Sequence, residues 1–574
     1  MKFTTCVLLL AILAVGVFFR ADYLTQRGIY NIEIYTPNIP LPAGISDPSP
    51  RLTIAKTISG TAFEPHPPTW YLLMFPYTRL VGTSLLALRL PSVLFGAGAI
   101  LLMFLLGVLV EDQATGLLGM GLLAISPLHV LWSQLSRPNS MLCLLSLLST
   151  CLLLLVKRGG ERQKKWLALY LLSALLALLS DYYFWPVFAT HLLWVLLCSW
   201  KNKQWVSGLL QAQMLILILA TPAISLGILQ SRESYLGGDI LGPIANYLDF
   251  SFLFQSSPVE GGSWIHPAAL FYIMPVLAGL FLIAGCLRRR PRAPAEIQAD
   301  VPAPSVVSLV LAALCALPVI IAAGALARAF LPERARPVLA STIFPVLFLL
   351  LAYLLRRPWP MAQKTSEFLD ARGWLPQSGY SLVLLLLVLP VALVAGVSLF
   401  VPFMMPRGML YFAPFLLTVM ASGIQAICRL PARKFSFVLG VLLLLPVGFS
   451  HYQAIAALRL EPPQWQDYQG LGRQLVAHIK DSEPIFIVRH WELSPIYYYV
   501  PAEHYHYVGK DYAETTARNR PARVWVIRSE QLDRPKEMLD ALVDYDRGVT
   551  LRAGRLWADE YLRRQDSGGS AQQK

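Results

Sequence analysis

The sequence predicts a polytopic α-helical membrane protein of about thirteen transmembrane helices, closed by a small C-terminal α/β domain on the extracytoplasmic side. Three observations carry this prediction. Hydrophobic residues fill 56% of the 574 positions and charged residues only 14%, with a mean hydropathy of +0.53, whereas soluble domains run near a quarter charged. Apolar runs long enough to cross a bilayer, which takes roughly 18 to 20 helical residues, recur along the chain. From Tyr452 onward 17 basic residues balance 17 acidic ones, so the whole net charge of +14 lies in residues 1–451. A basic excess confined to the loops of a helical bundle is topogenic charge and a source of phosphate contacts, not a nucleic-acid footprint.

The first element is an apolar run from Cys6 to Phe19 behind Lys2, expected to be an anchor with its N-terminus inside. Further spans are expected near 88–110, 114–134, 138–156, 165–182, 184–200, 206–229, 267–287, 305–326, 338–355, 380–403, 409–428 and 434–451. Threaded from an inside N-terminus, they put Lys157–Lys165, Lys201–Lys203, Arg288–Arg292, Arg356–Lys364 and Arg429–Lys434 all inside, as the positive-inside rule requires. Reading Pro67–Gly82 as one more span would reverse every cluster, so that segment is expected to lie as a helix at the outer surface. The outer features are then loops 20–87 and 230–266, a short basic loop at Arg328–Arg336, and a domain over 452–564. In that domain Pro484–Val488, His504–Val508 and Arg523–Arg528 read as strands, with helices at Trp465–Lys480 and Pro535–Val543. Residues 565–574 read as a disordered tail and Arg288–Pro304 as an inner linker. No internal repeat of the transporter kind is visible.

The residues that invite chemistry sit on the outer edge of the first third. Ile29–Thr36 reads IYNIEIYT, Glu64–Tyr71 EPHPPTWY, Leu88–Gly96 LRLPSVLFG and Ser126–Asn139 SPLHVLWSQLSRPN. In order and spacing these resemble the bacterial GT-C membrane glycosyltransferases related to protein O-mannosyltransferases and the aminoarabinose transferase. That family has an outer "LWxDE" loop, an "HPPLYYLL" helix, "ALRLPSALFG" opening a span and "SPFHIWYSQEARxY" at the next outer turn. Arg407–Pro414 (RGMLYFAP) echoes a later family element. The resemblance is good over residues 20–200 and weaker beyond. It implies a GT-C fold in a bacterial inner membrane, and transfer of a sugar from a polyprenyl-phosphate donor to a glycan, lipid or protein acceptor by inverting displacement. No obligatory cofactor is implied.

Two family positions differ. The aspartate usually regarded as the base aligns with Ile32, leaving Glu33 beside it, and the glutamate of "QEAR" aligns with Leu135, leaving Gln134, Ser136 and Arg137. A sugar transferase needs a group that takes the acceptor's proton, and Glu33 is the expected one, with Asp22 and Glu64 behind it. A solvated loop glutamate is the other reading. His66, ahead of a Pro-Pro helix start, is expected to touch the acceptor or a phosphate, or simply to cap its helix. Arg137 and Arg407 are expected donor-phosphate contacts, since arginine grips phosphate bidentately; interface arginines also snorkel to headgroups. Arg328, Arg334 and Arg336 form a weaker basic group. Gln134 and Asp181 are expected to meet substrate, Asp181 through a sugar hydroxyl unless it merely faces water. Glu492 and Tyr497–Tyr499 read as packing and surface aromatics.

What is missing also narrows the field. The seven cysteines fall in or beside apolar runs and form neither a disulfide framework nor a zinc spacing. His504 and His506 lack a third ligand, so no metal site is expected. No phosphate-cradling glycine loop, nucleotide fingerprint or nucleophile elbow is present. Without its base aspartate, a chain of this kind would alternatively be a catalytically lapsed carrier-binding or transport protein of the same fold.

Overall fold

The computed structural model describes residues 3–41, 53–61, 66–198, 203–223, 226, 277, 279–286, 378–398, 410–429, 433–460, 467–480, 483–488, 493–501, 505–509, 512–529 and 534–564. The expected spans at 305–326 and 338–355, the 230–266 loop, the 288–304 linker and the 565–574 tail lie outside these residues. So do Glu64, Arg328, Arg334, Arg336, Arg407, Glu492 and His504.

The chain opens with α1 (Phe3–Ala21), apolar almost throughout and carrying Arg20 in its last turn. A loop with one 3-10 turn at Glu33–Tyr35 follows, then the short α2 (Ile54–Gly60) and α3 (Thr69–Val81). Pro67 and Pro68 suit the entry to α3 because its first N–H groups have no helical partners in any case. Next come α4 (Leu85–Val110), whose Ser84 hydroxyl accepts from the Ala87 amide, and α5 (Gln113–Ala124), capped in the same way by Asp112 on Thr115. Such caps are worth ~1 kcal/mol each. α4 and α5 cross at Gly107 and Gly116, where a Cβ on either residue would run into the other helix's backbone.

The expected straight span at 114–134 is broken. α5 stops at Ala124, α6 (Pro127–Ser133) starts after Ser126, and the two are bent by 63°. Pro127 has no N–H to continue the ladder and pushes Ser126 into extended backbone (ψ 116°). Arg20 adds side-chain donors to the carbonyls at the end of α5. Its guanidinium donates to Ala124 O (2.9 Å), Leu123 O (3.1 Å) and its own Gly16 O (2.7 Å), and lies 2.7 Å from His129 Nδ1. A fully buried cation thus meets the negative end of a helix dipole rather than a carboxylate.

α7 (Asn139–Arg158) runs through the middle of the bundle and is mostly buried, against α4 and α8 (Gln163–Leu178). α9 (Phe184–Cys198), α10 (Lys203–Leu219), α11 (Gly379–Ser398), α12 (Ala413–Cys428) and α13 (Arg433–Leu460) complete the described helices of the bundle. α13 continues nine residues past the expected span end at His451. Among the described residues, α1, α4, α7 and α11 are each long and apolar enough to cross a membrane, and the bent α5–α6 pair counts as a fifth.

The C-terminal part is a five-stranded sheet in the order β2-β1-β3-β5-β4. It is built from β1 (Pro484–Ile487), β2 (His506–Val508), β3 (Arg523–Ser529), β4 (Tyr545–Ala553) and β5 (Leu556–Arg563). β1 pairs parallel with β2 and β3, while β5 runs antiparallel between β3 and β4. Helices α14 (Tyr468–His478), α15 (Ile496–Tyr499), α16 (Tyr512–Asn519) and α17 (Lys536–Ala541) flank it. Three strands and two helices fall where the sequence places them. The β4–β5 hairpin does not, because β5 carries Asp559 and Glu560 in its middle. Those carboxylates are satisfied by arginines across the sheet: Arg528 and Arg547 on Asp559, Arg523 on Glu560.

This domain shares one apolar core with the first loop. Ile29, Ile34, Ile39 and Leu41, with Leu88 at the head of α4, pack together with Phe486, Ile496 and Tyr497. Tyr498 and Tyr499 are fasteners of that contact rather than surface aromatics. The Tyr499 hydroxyl accepts from the Ile29 amide (2.9 Å), and the Tyr498 hydroxyl donates to Thr83 O (2.8 Å).

Candidate functional site

Two buried polar clusters meet at the end of the bundle where the first loop, the α3 start, the α6–α7 turn, the α8–α9 turn and the α12 start come together. The first is centred on Glu33, which is 0% exposed. Its Oε1 accepts from Arg89 Nε (2.9 Å) and from the Ser136 amide (2.7 Å). Its Oε2 accepts from an Arg89 terminal nitrogen (2.6 Å) and from the Tyr30 amide (2.9 Å). A carboxylate offers about four lone-pair sites, and four donors reach this one. Arg89 also donates to the Leu24, Arg27 and Gly28 carbonyls at 2.6–2.8 Å. The bidentate pair therefore ties the first loop to α4 and, through Ser136, to the α6–α7 turn. Glu33 does not point to bulk water.

Arg137 follows in that turn, buried, with one terminal nitrogen donating to Ile32 O (3.2 Å) and Tyr71 Oη (3.1 Å). Gln134 spends its amide on Phe19 O (2.8 Å) and Asp22 O (2.9 Å), holding the end of α1. The Ser136 and Thr36 hydroxyls share a 3.2 Å hydrogen bond that stitches loop to turn again.

The second cluster joins His66 and Asp181. His66 Nδ1 lies 3.1 Å from Asp181 Oδ2, with the side chains 5% and 1% exposed. Asp181 Oδ2 also accepts from the Tyr411 hydroxyl (3.1 Å), and Oδ1 accepts from the Tyr183 amide (3.0 Å). Asn139 Nδ2 donates to the Tyr411 oxygen at 3.2 Å. The two clusters are neighbours along the chain at two points. Arg137 and Asn139 flank Pro138, and His66 and Tyr71 are the start and first turn of the same helix entry.

Charge effects around the first loop follow the same burial. Desolvation, joined by the nearby Arg89 and partly offset by Glu33, brings the Arg27 guanidinium down to about 10, which still leaves it cationic at neutral pH. Burial pushes the Tyr499 phenol up against a smaller opposing pull from the Ile29 amide, so it stays protonated and binds as a neutral hydroxyl.

The structure thus brings together Glu33, Gln134 and Arg137 in one cluster and His66 and Asp181 in another. Arg89, Tyr71, Asn139 and Tyr411 are the members that sequence reading did not single out. All four sit inside motifs quoted above, and only Arg89 carried a signal of its own: an arginine near the start of an apolar helix asks for a buried acid. Among the described residues no group of three or more His, Cys, Asp or Glu side chains is placed to hold a metal ion.

Residues 65–225 match the family model described as dolichyl-phosphate-mannose-protein mannosyltransferase. Three of the four motifs that carried the GT-C resemblance fall in that segment or at its edge, and the resemblance to this family of glycosyltransferases holds there. No curated protein matches the chain. Among solved structures, ArnT from Cupriavidus metallidurans bound to undecaprenyl phosphate is 12% identical, with 98% of each chain covered and a TM-score of 0.47. The oligosaccharyltransferase AglB from Archaeoglobus fulgidus, in complex with an inhibitory peptide and a dolichol-phosphate, is 13% identical over 98% of this chain and 74% of its own, with a TM-score of 0.45. The arabinofuranosyltransferase AftD from Mycobacteria is 12% identical over 97% and 40%, with a TM-score of 0.48. At such scores they stand beside this chain without lending it their roles.

Proposed function

We propose that the protein is a membrane glycosyltransferase that takes a sugar from a polyprenyl-phosphate carrier and passes it to an acceptor hydroxyl on the outer side of a bacterial inner membrane. Its bundle of about thirteen spans carries residues 452–564 as an outer domain. One observation carries the proposal: the residues gathered at the site from distant segments, His66, Tyr71, Arg89, Arg137, Asn139 and Asp181, all fall within the segment that matches the mannosyltransferase family model. In this reading Arg137 meets the donor phosphate, and Arg407 adds a second cation. Glu33, its lone pairs taken up by Arg89 and two backbone amides, orients the turn that presents Arg137. Gln134 sets that turn against the end of α1. Arginines that offset the lipid phosphate's charge make it a good leaving group, so the proposed displacement needs no bound metal.

The test is donor consumption by the purified protein in lipid, offered a panel of polyprenyl-phosphate sugars with membrane extract as acceptor. Turnover by the wild type that is lost in Arg137→Ala supports the reading. The full engagement of Glu33 favours one rival, a carrier-binding protein of the same fold that no longer transfers sugar. Tight donor binding without turnover, abolished by Arg137→Ala, would establish that rival instead.

A further inference from the structure

The proposed transfer needs a group to take the acceptor's proton, and the geometry of Glu33 leaves it no open lone pair for that task. Its carboxylate is filled by Arg89 from one side and by the Ser136 and Tyr30 amides from the other. The adjoining position, where an acid would be expected, is Ile32. The second cluster holds the other buried titratable pair of the site, His66 and Asp181. We propose that His66, held by Asp181, is the proton acceptor of the transfer reaction, an inference that rests on the glycosyltransferase reading.

The arrangement is that of a base and its orienter. Asp181 Oδ2 stands 3.1 Å from His66 Nδ1, an ion-pair contact rather than an aligned hydrogen bond, and Nε2 is the nitrogen that takes the incoming proton. Asp181 is itself fixed by the Tyr183 amide on Oδ1 and the Tyr411 hydroxyl on Oδ2, and Tyr411 in turn receives the Asn139 amide. Three other chain segments thus converge, through Asp181, on one imidazole at the neck of α3. The pair is almost wholly buried, and a carboxylate holding an imidazole in low dielectric stabilises the imidazolium that forms when a proton arrives. Arg137 reaches the same neck through Tyr71, so base and phosphate contact flank one short stretch of chain.

The acceptor oxygen attacks the anomeric carbon while its proton passes to His66 Nε2. The bond from the anomeric carbon to the phosphate oxygen breaks, and that oxygen keeps the electron pair and leaves on the lipid. Imidazolium then returns its proton to water. His66 would be the catalytic residue, with Asp181 and Tyr411 as positioning residues.

The experiment measures kcat for donor turnover and, separately, donor affinity on the full chain in lipid. His66→Gln is expected to lower kcat by about 10²–10⁴-fold with donor affinity within twofold of wild type. Asp181→Asn should lower kcat less, and should add nothing further in the His66→Gln background, whereas a merely structural aspartate would add its full effect there. Imidazole supplied to His66→Ala should restore part of the turnover. Tyr411→Phe, a milder change that keeps the ring, should lower kcat about fivefold and serves if the His66 variants do not fold. Wild-type turnover that persists in His66→Gln, or a loss confined to donor affinity, overturns the assignment while leaving the transferase reading intact. No turnover by the wild type with any donor overturns both.

Discussion

Replacing Arg89 by methionine should unfasten the first loop while leaving the helical bundle assembled. Arg89 is 1% exposed and makes five hydrogen bonds, two to Glu33 and three to the carbonyls of Leu24, Arg27 and Gly28. Methionine keeps the length and apolar stem but strands the Glu33 carboxylate in a buried setting with only two amide donors. Breaking one side of a buried pair costs about 3–5 kcal/mol because the other charge is left uncompensated. At about 1.4 kcal/mol per factor of ten, local opening of residues 24–36 becomes roughly 10² to 4 × 10³ times more frequent. Amide hydrogen exchange of the protein in nanodiscs reads this directly, with the amides of Tyr30 and Ser136 as reporters and those of α7 as an internal control. The double variant Glu33→Leu/Arg89→Met should exchange more slowly than the two single effects combined predict, since both charges leave together. Exchange at Tyr30 unchanged in Arg89→Met, or strictly additive single and double variants, would refute the claim that this pair holds the loop.

Further outcomes follow from other contacts. Tyr499→Phe removes the acceptor for the Ile29 amide and should cost about 1 kcal/mol, seen as faster exchange at Ile29 with the five-stranded sheet unaffected. Gly107→Val drives a side chain into the backbone at Gly116 and should destabilise by about 1–3 kcal/mol, read as a lower inactivation temperature in detergent. Burial pushes the Asp559 carboxyl up, but Arg528, Arg547 and Thr550 outweigh it, so its folded pKa lies below the ordinary value. Its contribution to domain stability is therefore full above the unfolded value of about 3.9 and fades as pH falls through the lower folded one. Acid unfolding of the sheet, followed by tryptophan fluorescence, should be less steep in Asp559→Asn.

Much of the bundle was legible because span length is a property of composition alone: α4, α7, α9 and α11 begin and end within a few residues of their apolar runs. The break between α5 and α6 was not, since hydropathy is blind to a bend. Ser126-Pro127 was its local signature, and the carbonyl of Ala124 beside it meets Arg20, 104 residues earlier. In the sheet, β5 hid behind two carboxylates whose partners lie on other strands. The site divides the same way. Glu33, His66, Gln134, Arg137 and Asp181 stood out by residue type and motif, but what each does depends on Arg89, Tyr411 and Asn139. Those pairings span tens to hundreds of residues, and a single sequence carries no distance between them.

The bond between Ile29 and Tyr499 joins positions 470 residues apart. A ribosome delivers the first loop early and its tyrosine fastener only after all of the intervening helices have been inserted. Until then Ile29, Ile34 and Ile39 have no tail-domain core to enter, and a loop closure of that length is slow. Completion of the first loop is thus a late step of biogenesis. A nascent chain interrupted ahead of Tyr499 would carry all the described helices of the bundle and still expose an unfinished loop.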